Sequence, residues 1–272
     1  MSDKNPKGSG KDSHYARLRR AHRDSKPPAA LDGKIVLYGL HTVREAMENP
    51  RRKPVRLLAT RNALARLDLA ETAAARCPVE VVEPKAIDRL TGEGAVHQGV
   101  ALETWPLKAK PLNALGDTDL VLVLDQVTDP HNVGAIMRSA VAFDAGALVT
   151  TARHSPVESG VLAKAASGAL EHIDHIEVRN LAEAIETLTK SGFRTIGLDS
   201  EGPEVLERTV AGPKIALVLG AEGKGLRQKT RETVSHLARL DMPGAIRSLN
   251  VSNAAVLSLY VARDAIEKSG DA

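Results

Sequence analysis

RLDMPGAIRSLNVSNAAVLSLY, from Arg239 to Tyr260, is the stretch whose reading decides the architecture of this chain. Arg239 and Leu240 read as the end of a strand, Pro243 and Gly244 as a loop, and Ser248, Leu249 and Asn250 as the opening of a long helix. Ser and Asn at a helix start satisfy backbone N–H groups that have no partner in the first turn. Beyond them, Val251, Ala254, Ala255, Ser258, Leu259, Ala262, Ala265 and Ile266 recur at helical spacing and define a buried face. Leu257, Tyr260 and Val261 widen that face beyond what one sheet covers, so this helix is expected to meet a partner as well. A capped terminal helix behind a polar loop would explain the local pattern without any function.

Upstream of this helix, strands and helices alternate from Asp119 onward. LVLVLDQV, beginning at Leu120, is nearly continuous apolar sequence, as expected of a strand buried on both faces of a parallel sheet. The pattern predicts helices over Val133 to Phe143, Ser159 to Ala169, Leu181 to Ser191 and Arg227 to Thr233. Strands are expected at Ala147 to Thr151, His175 to Arg179, Arg194 to Asp199, Ile215 to Gly220 and His236 to Met242. This is a doubly wound α/β layer, with sites expected at the C-terminal ends of its strands.

A smaller α/β module precedes it. Strands are predicted at Ile35 to Tyr38, Val55 to Thr60, Pro78 to Glu83 and Gly99 to Trp105, with helices around Val43 to Met47, over Ala63 to Arg76 and over Lys85 to Leu90. The organisation expected is a basic tail over 1–33, a substrate-binding domain over 34–106, a linker over 107–118 and a second domain over 119–272. Residues 1–30 carry eight Lys and Arg against three Asp, +5, although the whole chain is only +3. So basic and apolar-poor a tail cannot offset its ordering entropy and is expected to be disordered. It suits a phosphate-seeking arm or a merely solubilising terminus.

With a single cysteine, Cys77, intramolecular disulfides and multi-cysteine metal sites are excluded. His172 and His175 are the nearest approach to a metal pair and read as a solvated helix edge, so no metal is expected. No apolar run approaches the roughly 20 residues that span a bilayer, and a cytoplasmic protein is expected.

Three stretches could carry chemistry. DQVTDPHNVGAIMRSAVAFDAG leaves a buried strand at Asp125 and enters a helix near Asn132, whose apolar face (Val133, Ile136, Met137, Ala140, Val141) leaves Arg138 off the core. LVLGAEGKGL runs from a strand into Gly220, Gly223 and Gly225 around Glu222; it lacks the Lys-Ser/Thr pair of a phosphate-cradling loop and the full glycine spacing of a dinucleotide fingerprint. The third is the Arg239–Tyr260 stretch. Each is weak alone, but all three fall at strand ends of one sheet.

NVGAIMRSA (132–140), LGAEGKGL (219–226) and MPGAIRSLNVSNAA (242–255) resemble the three ordered motifs of the SpoU, or TrmH, family of RNA ribose 2′-O-methyltransferases. YGLHTVREAM (38–47) and HQGVALE (97–103) resemble the ribosomal-protein-like RNA-binding domain that precedes the catalytic domain in the 23S rRNA guanosine branch of that family. The resemblance implies a SPOUT-type α/β domain with a C-terminal trefoil knot, S-adenosyl-L-methionine as methyl donor and a homodimer acting on RNA, most simply 23S rRNA. By its motifs, Gly220, Leu240 and Leu249 would contact the cofactor, and Asn132, Arg138, Glu222, Ser248 and Asn250 would form the polar active site. Asn253, just past the third motif, stands where a small or apolar residue is expected.

The family proposal makes the motif-one arginine a general base. Guanidinium groups keep their proton in proteins, so Arg138 is better read as stabilising the developing alkoxide and pinning the adjacent phosphate. Glu222 is then a holder of Asn132 or Arg138, or a base. Two other readings stay open from sequence: an enzyme of the same family acting on tRNA, and an RNA-binding adaptor that retains the fold without turnover.

Overall fold

The computed structural model describes residues 33–92, 94–246 and 248–270. The basic tail therefore lies outside the described residues. Two sheets organise what is described. The first has four strands in the order β1-β4-β2-β3: β1 (Ile35–Tyr38), β2 (Lys53–Ala59), β3 (Val79–Val81) and β4 (Val100–Trp105). β4 runs antiparallel to both β1 and β2, and β2 pairs with β3 in parallel.

Around this sheet lie α1 (Leu40–Glu48), α2 (Arg61–Leu67), α3 (Glu71–Ala74) and α4 (Pro84–Thr91). The single helix expected over Ala63 to Arg76 is in fact two. Asp68 adopts a left-handed backbone (φ 47°) and ends α2 there. Asp tolerates that conformation better than most residues, and the helical spacing on either side conceals the break.

The second sheet has seven strands, β5 (Leu120–Asp125), β6 (Ala147–Thr151), β7 (Asp174–Val178), β8 (Arg194–Leu198), β9 (Glu204–Val205), β10 (Ile215–Gly220) and β11 (His236–Arg239). Their order is β7-β6-β5-β10-β8-β11-β9, and every pairing is parallel. All six residues of β5 are buried, as its apolar run requires. Helices α5 (Pro130–Ala142), α6 (Gly160–Ala166), α7 (Leu181–Lys190), α8 (Leu206–Thr209), α9 (Gln228–Thr233) and α10 (Val251–Gly270) cover it. β9 and α8 were not expected from the sequence.

Local chemistry sets several of these boundaries. Asp129 caps α5 by accepting from His131 N at 3.0 Å, and Pro130 occupies the first helical turn, where its missing N–H costs nothing. Ser159 caps α6, which stops at Ser167 in a left-handed conformation, short of the expected Ala169. The segment read as linker carries a 3-10 turn at Leu112–Ala114, and Lys110 bridges Ile176 beside β7.

The two sheets share one core, in which Leu37, Val43 and Leu102 pack in the same cluster as Leu122, Val133 and Leu162. An ionic clamp reinforces the junction. Arg52, wholly buried, donates Nη2 to Glu171 at 2.5 Å and pairs with Glu158 as well. No helix of the described residues is long and apolar enough to cross a membrane.

Candidate active site

The site lies along the C-terminal edge of the seven-stranded sheet. There Gly220, the last residue of β10, is in register with Asp125, the last of β5, and β11 ends alongside at Arg239. α5 leaves this edge from β5, and α10 begins beside it after the loop that follows β11.

The first turn of α10 draws the three stretches together. Asn250 Oδ1 caps the helix, accepting from Ser252 N at 2.8 Å and from Ser252 Oγ at 2.6 Å. Its amide nitrogen is thereby turned outward and donates to Asn132 Oδ1 at 3.0 Å and to Glu222 Oε1 at 2.6 Å. Glu222 Oε1 also accepts from Val251 N at 3.4 Å, so the carboxylate sits over unpaired N–H groups of a helix start, where negative charge is favoured. Asn132, Glu222 and Asn250 are thus one hydrogen-bonded group, drawn from three separate segments.

The glycine loop is shaped to present Glu222. Gly225 N donates to Ala221 O at 2.9 Å, and Gly223 and Gly225 take positive φ values of 74° and 63°. A Cβ on Gly220 would collide with the Gly225 carbonyl, so only glycine permits the fold-back. Asp125, fully buried, ties down the loop's exit by accepting from Arg227 N at 3.0 Å and Arg227 Nε at 2.6 Å. The sequence reading passed over this pair. Its one visible signal is a carboxylate closing an otherwise apolar strand.

Ser248 and Arg138 stand apart from the cluster. Ser248 is exposed in the loop and does not cap α10; that role belongs to Asn250 alone. Arg138 is exposed on α5, as its helical position implies, and makes no hydrogen bond or ion pair to another described residue. It lies six residues beyond Asn132, about 120° round the helix and about 9 Å along it. Of the residues expected at a cofactor, Leu240 is half-buried against the core while Leu249 is exposed, beside an Ile246 that is 77 % exposed. On α10, Val251, Ala255, Ser258, Leu259, Ala262 and Ile266 are buried, and Leu257 and Tyr260 are not.

His172 does sit at a solvated helix edge, exposed at the end of the 3-10 turn Ala169–Glu171, but His175 does not. His172 Nε2 meets Glu45 at 2.7 Å across the junction, while His175 is half-buried on β7 against Thr150 Oγ1 at 2.8 Å, where burial holds its imidazole below the ordinary range. Among the described residues, no group of three or more His, Cys, Asp or Glu could hold a metal ion.

Known proteins match this layout on both sheets. The SpoU rRNA Methylase family matches residues 119–260, and the family described as RNA 2'-O ribose methyltransferase substrate binding matches residues 36–109. A 23S rRNA (guanosine-2'-O-)-methyltransferase RlmB of Pseudomonas putida is 37 % identical over 237 residues, covering 83 % of this chain and 94 % of the relative. The protein of the same description from Yersinia pestis is 34 % identical, with 83 % and 95 % covered. Among solved structures, the SpoU methyltransferase AviRb from Streptomyces viridochromogenes in complex with AdoMet shares the fold, with a TM-score of 0.70, 21 % identity and coverage of 91 % of this chain and 92 % of that one. A putative RNA methyltransferase of the TrmH family from Porphyromonas gingivalis also shares it, with a TM-score of 0.70, 20 % identity and coverage of 95 % and 99 %. Matched over its seven-stranded sheet and related to curated members along most of its length, the chain belongs to the SpoU rRNA methylase family.

Proposed function

We propose that this protein transfers a methyl group from S-adenosylmethionine to the ribose 2′-hydroxyl of a guanosine in 23S rRNA, acting in the cytoplasm as a homodimer. What carries the reading is the convergence of Asn132, Glu222 and Asn250 on one edge, in a chain that relates over both its sheets to curated 23S rRNA enzymes. We take 34–106 as the RNA-binding domain and 119–272 as the catalytic one.

The residues fit the cofactor. Exposed Ile246 and Leu249, with half-buried Leu240, offer apolar surface to an adenosyl group, and the tight turn at Gly220 brings backbone amides to the same edge. Bound there, the cofactor supplies an electrophilic methyl. The chain's own work is alignment and charge. Asn132, Glu222 and Asn250 hold one another rigid, which fixes the cofactor loop against α5, and such alignment supplies much of the rate of a displacement. Arg138, free of described partners, offers a planar pair of donors to the developing alkoxide and the adjacent phosphate. The hydroxyl proton leaves through that phosphate or water, and Ser248 lies exposed in the loop between β11 and α10.

The connections support the expected knot. β8 to β9 must pass the position of β11, β10 to β11 must pass that of β8, and α10 returns to pack on β10 and α5. Overlapping crossings of this kind are what a threaded chain requires, against the usual rule of unthreaded loops.

Mapping of ribose methylation in total rRNA and tRNA, from cells with and without the protein, tests the function. Loss of a single 2′-O-methylguanosine in 23S rRNA is expected. Loss of a tRNA mark would replace the substrate, and unchanged methylation throughout would remove the enzymatic reading.

A further inference from the structure

Arg51, Arg52 and Lys164 all reach across the junction between the sheets, and the protein treats the lysine differently from the arginines; Arg51 pairs with Asp174. Arg52 is neutralised by Glu171 and Glu158. Lys164, on α6, has no carboxylate within ion-pair distance among the described residues; its Nζ donates at 2.9 Å to a neutral acceptor, Gln98 Oε1. Burial holds its ammonium below the usual lysine range, because water is partly removed and no counter-charge replaces it.

The arrangement around this lysine is constrained. Gln98 stands at φ 56°, a left-handed conformation that L side chains seldom adopt, and its Oε1 also accepts from Leu40 N at 3.1 Å. The Lys164 amine lies over Gly39, in the space a Cβ there would take. Thr42 Oγ1 donates to Ala163 O at 3.3 Å from the same turn. On its other side α6 packs tightly on the first turns of α5, since a Cβ on Gly134 would come within 2.6 Å of Ala165 Cβ. Gly134 is two residues from Asn132, so the lysine sits between the YGLHT and HQG turns of the smaller domain and the helix that carries the active-site asparagine.

A half-exposed ammonium aimed by a neutral amide, with two donors left over, lacks an anion from outside the chain. We propose that Lys164, oriented by Gln98, grips a backbone phosphate of the RNA at the junction, so that the strand held by the smaller domain enters the catalytic edge in one register. This rests on the RNA methyltransferase reading above and names Lys164 and Gln98 as positioning residues for it. Phosphate is the anionic group that such a substrate brings, and a contact with it sets register without reading sequence.

The test is salt-dependent binding of a 23S rRNA fragment, together with its methylation, by full-length wild type, Lys164→Gln and Gln98→Glu. Loss of one phosphate contact lowers the slope of log K against log salt by about 0.7 to 0.9. Lys164→Gln is expected to show that drop and roughly tenfold weaker RNA binding at low salt, with KM for S-adenosylmethionine unchanged. Gln98→Glu separates grip from scaffold, because a carboxylate there strengthens the contact between the sheets while occupying the ammonium. It is expected to keep or raise Tm and yet lose the same increment of slope. A wild-type slope in Gln98→Glu overturns the proposal, even if Lys164→Gln fails to fold. A wild type that binds the fragment with the full slope but methylates no guanosine in it would sink the enzymatic reading and leave the phosphate site standing.

Discussion

Asn250 Nδ2 donates to Glu222 Oε1 at 2.6 Å, while the oxygen of the same amide caps α10. The cap fixes which way the amide faces, and the amide in turn holds the carboxylate. Glu222 Oε1 also accepts from Val251 N, so this oxygen serves as an anchor.

An anchoring Glu222 predicts a mild phenotype for Glu222→Gln, since a glutamine oxygen can accept from both donors. kcat should fall about fivefold, on the order of 1 kcal/mol, and the pH–rate profile should keep its wild-type shape. A general base would lose the corresponding ionisation from kcat. That loss, seen in single-turnover rates across pH, would reassign the proton acceptor.

Arg52→Met should uncouple the two sheets. It leaves Glu171 and Glu158 buried without their cation, which costs about 3–5 kcal/mol. Burial already pushes the Glu158 carboxyl above its ordinary range despite Arg52, and removing the arginine pushes it higher. An acid whose folded pKa is raised is least costly below its unfolded pKa and most costly once pH rises through the folded one. The Tm deficit of Arg52→Met should therefore be largest near neutrality and shrink as pH falls into the carboxylate range. Calorimetry at pH 7 and pH 5 reads this directly; a constant deficit would contradict it.

His175 titrates in the opposite sense. Its folded pKa lies below the ordinary 6.5 because burial disfavours the imidazolium. The stability it contributes is complete above the unfolded pKa and disappears as pH falls through the folded one. Stability should thus decline below about pH 6.5. His175→Asn should flatten part of that decline while keeping a polar partner for Thr150. Denaturant midpoints across this range, compared with wild type, are the measurement.

The framework was legible where local pattern and burial agree. β5 and β10 are apolar runs that belong in the middle of a parallel sheet, and α10 shows its buried stripe in the spacing from Val251 to Ile266. What escaped is short or distant. β9 and α8 span two and four residues, too few for any period to appear. Arg52 meets Glu171 across 119 positions, and Arg227 meets Asp125 across 102; no local pattern marks such pairs. Ser248 and Asn250 are equally plausible caps on composition, and the backbone path decided between them.

Leu257 is 48 % exposed and Tyr260 63 %, one helical turn apart on α10, and Tyr260 meets Phe143 edge to face with centroids 6.3 Å apart. A second copy covering this face would bury both. Leu257→Glu should shift sedimentation from dimer to monomer and reduce methyl transfer in step. An active monomer would separate assembly from catalysis.

Arg138 provides the sharpest test of mechanism, because geometry and charge can be varied separately there. Lysine preserves the positive charge at this exposed position on α5 but replaces a planar fork with a single rotating ammonium. A role as diffuse positive charge needs only the former. A role in which one N–H meets the developing alkoxide and a second meets the phosphate needs the fork. Losing one donor preorganised for a developing oxyanion costs about 10²–10³ in kcat. Arg138→Lys is therefore expected to lose rate in that range at saturating RNA, with KM for S-adenosylmethionine unchanged, because the role assigned to Arg138 is toward the RNA and not the methyl donor. Near wild-type turnover in Arg138→Lys would show that charge alone suffices, and the two-pronged contact would have to be abandoned.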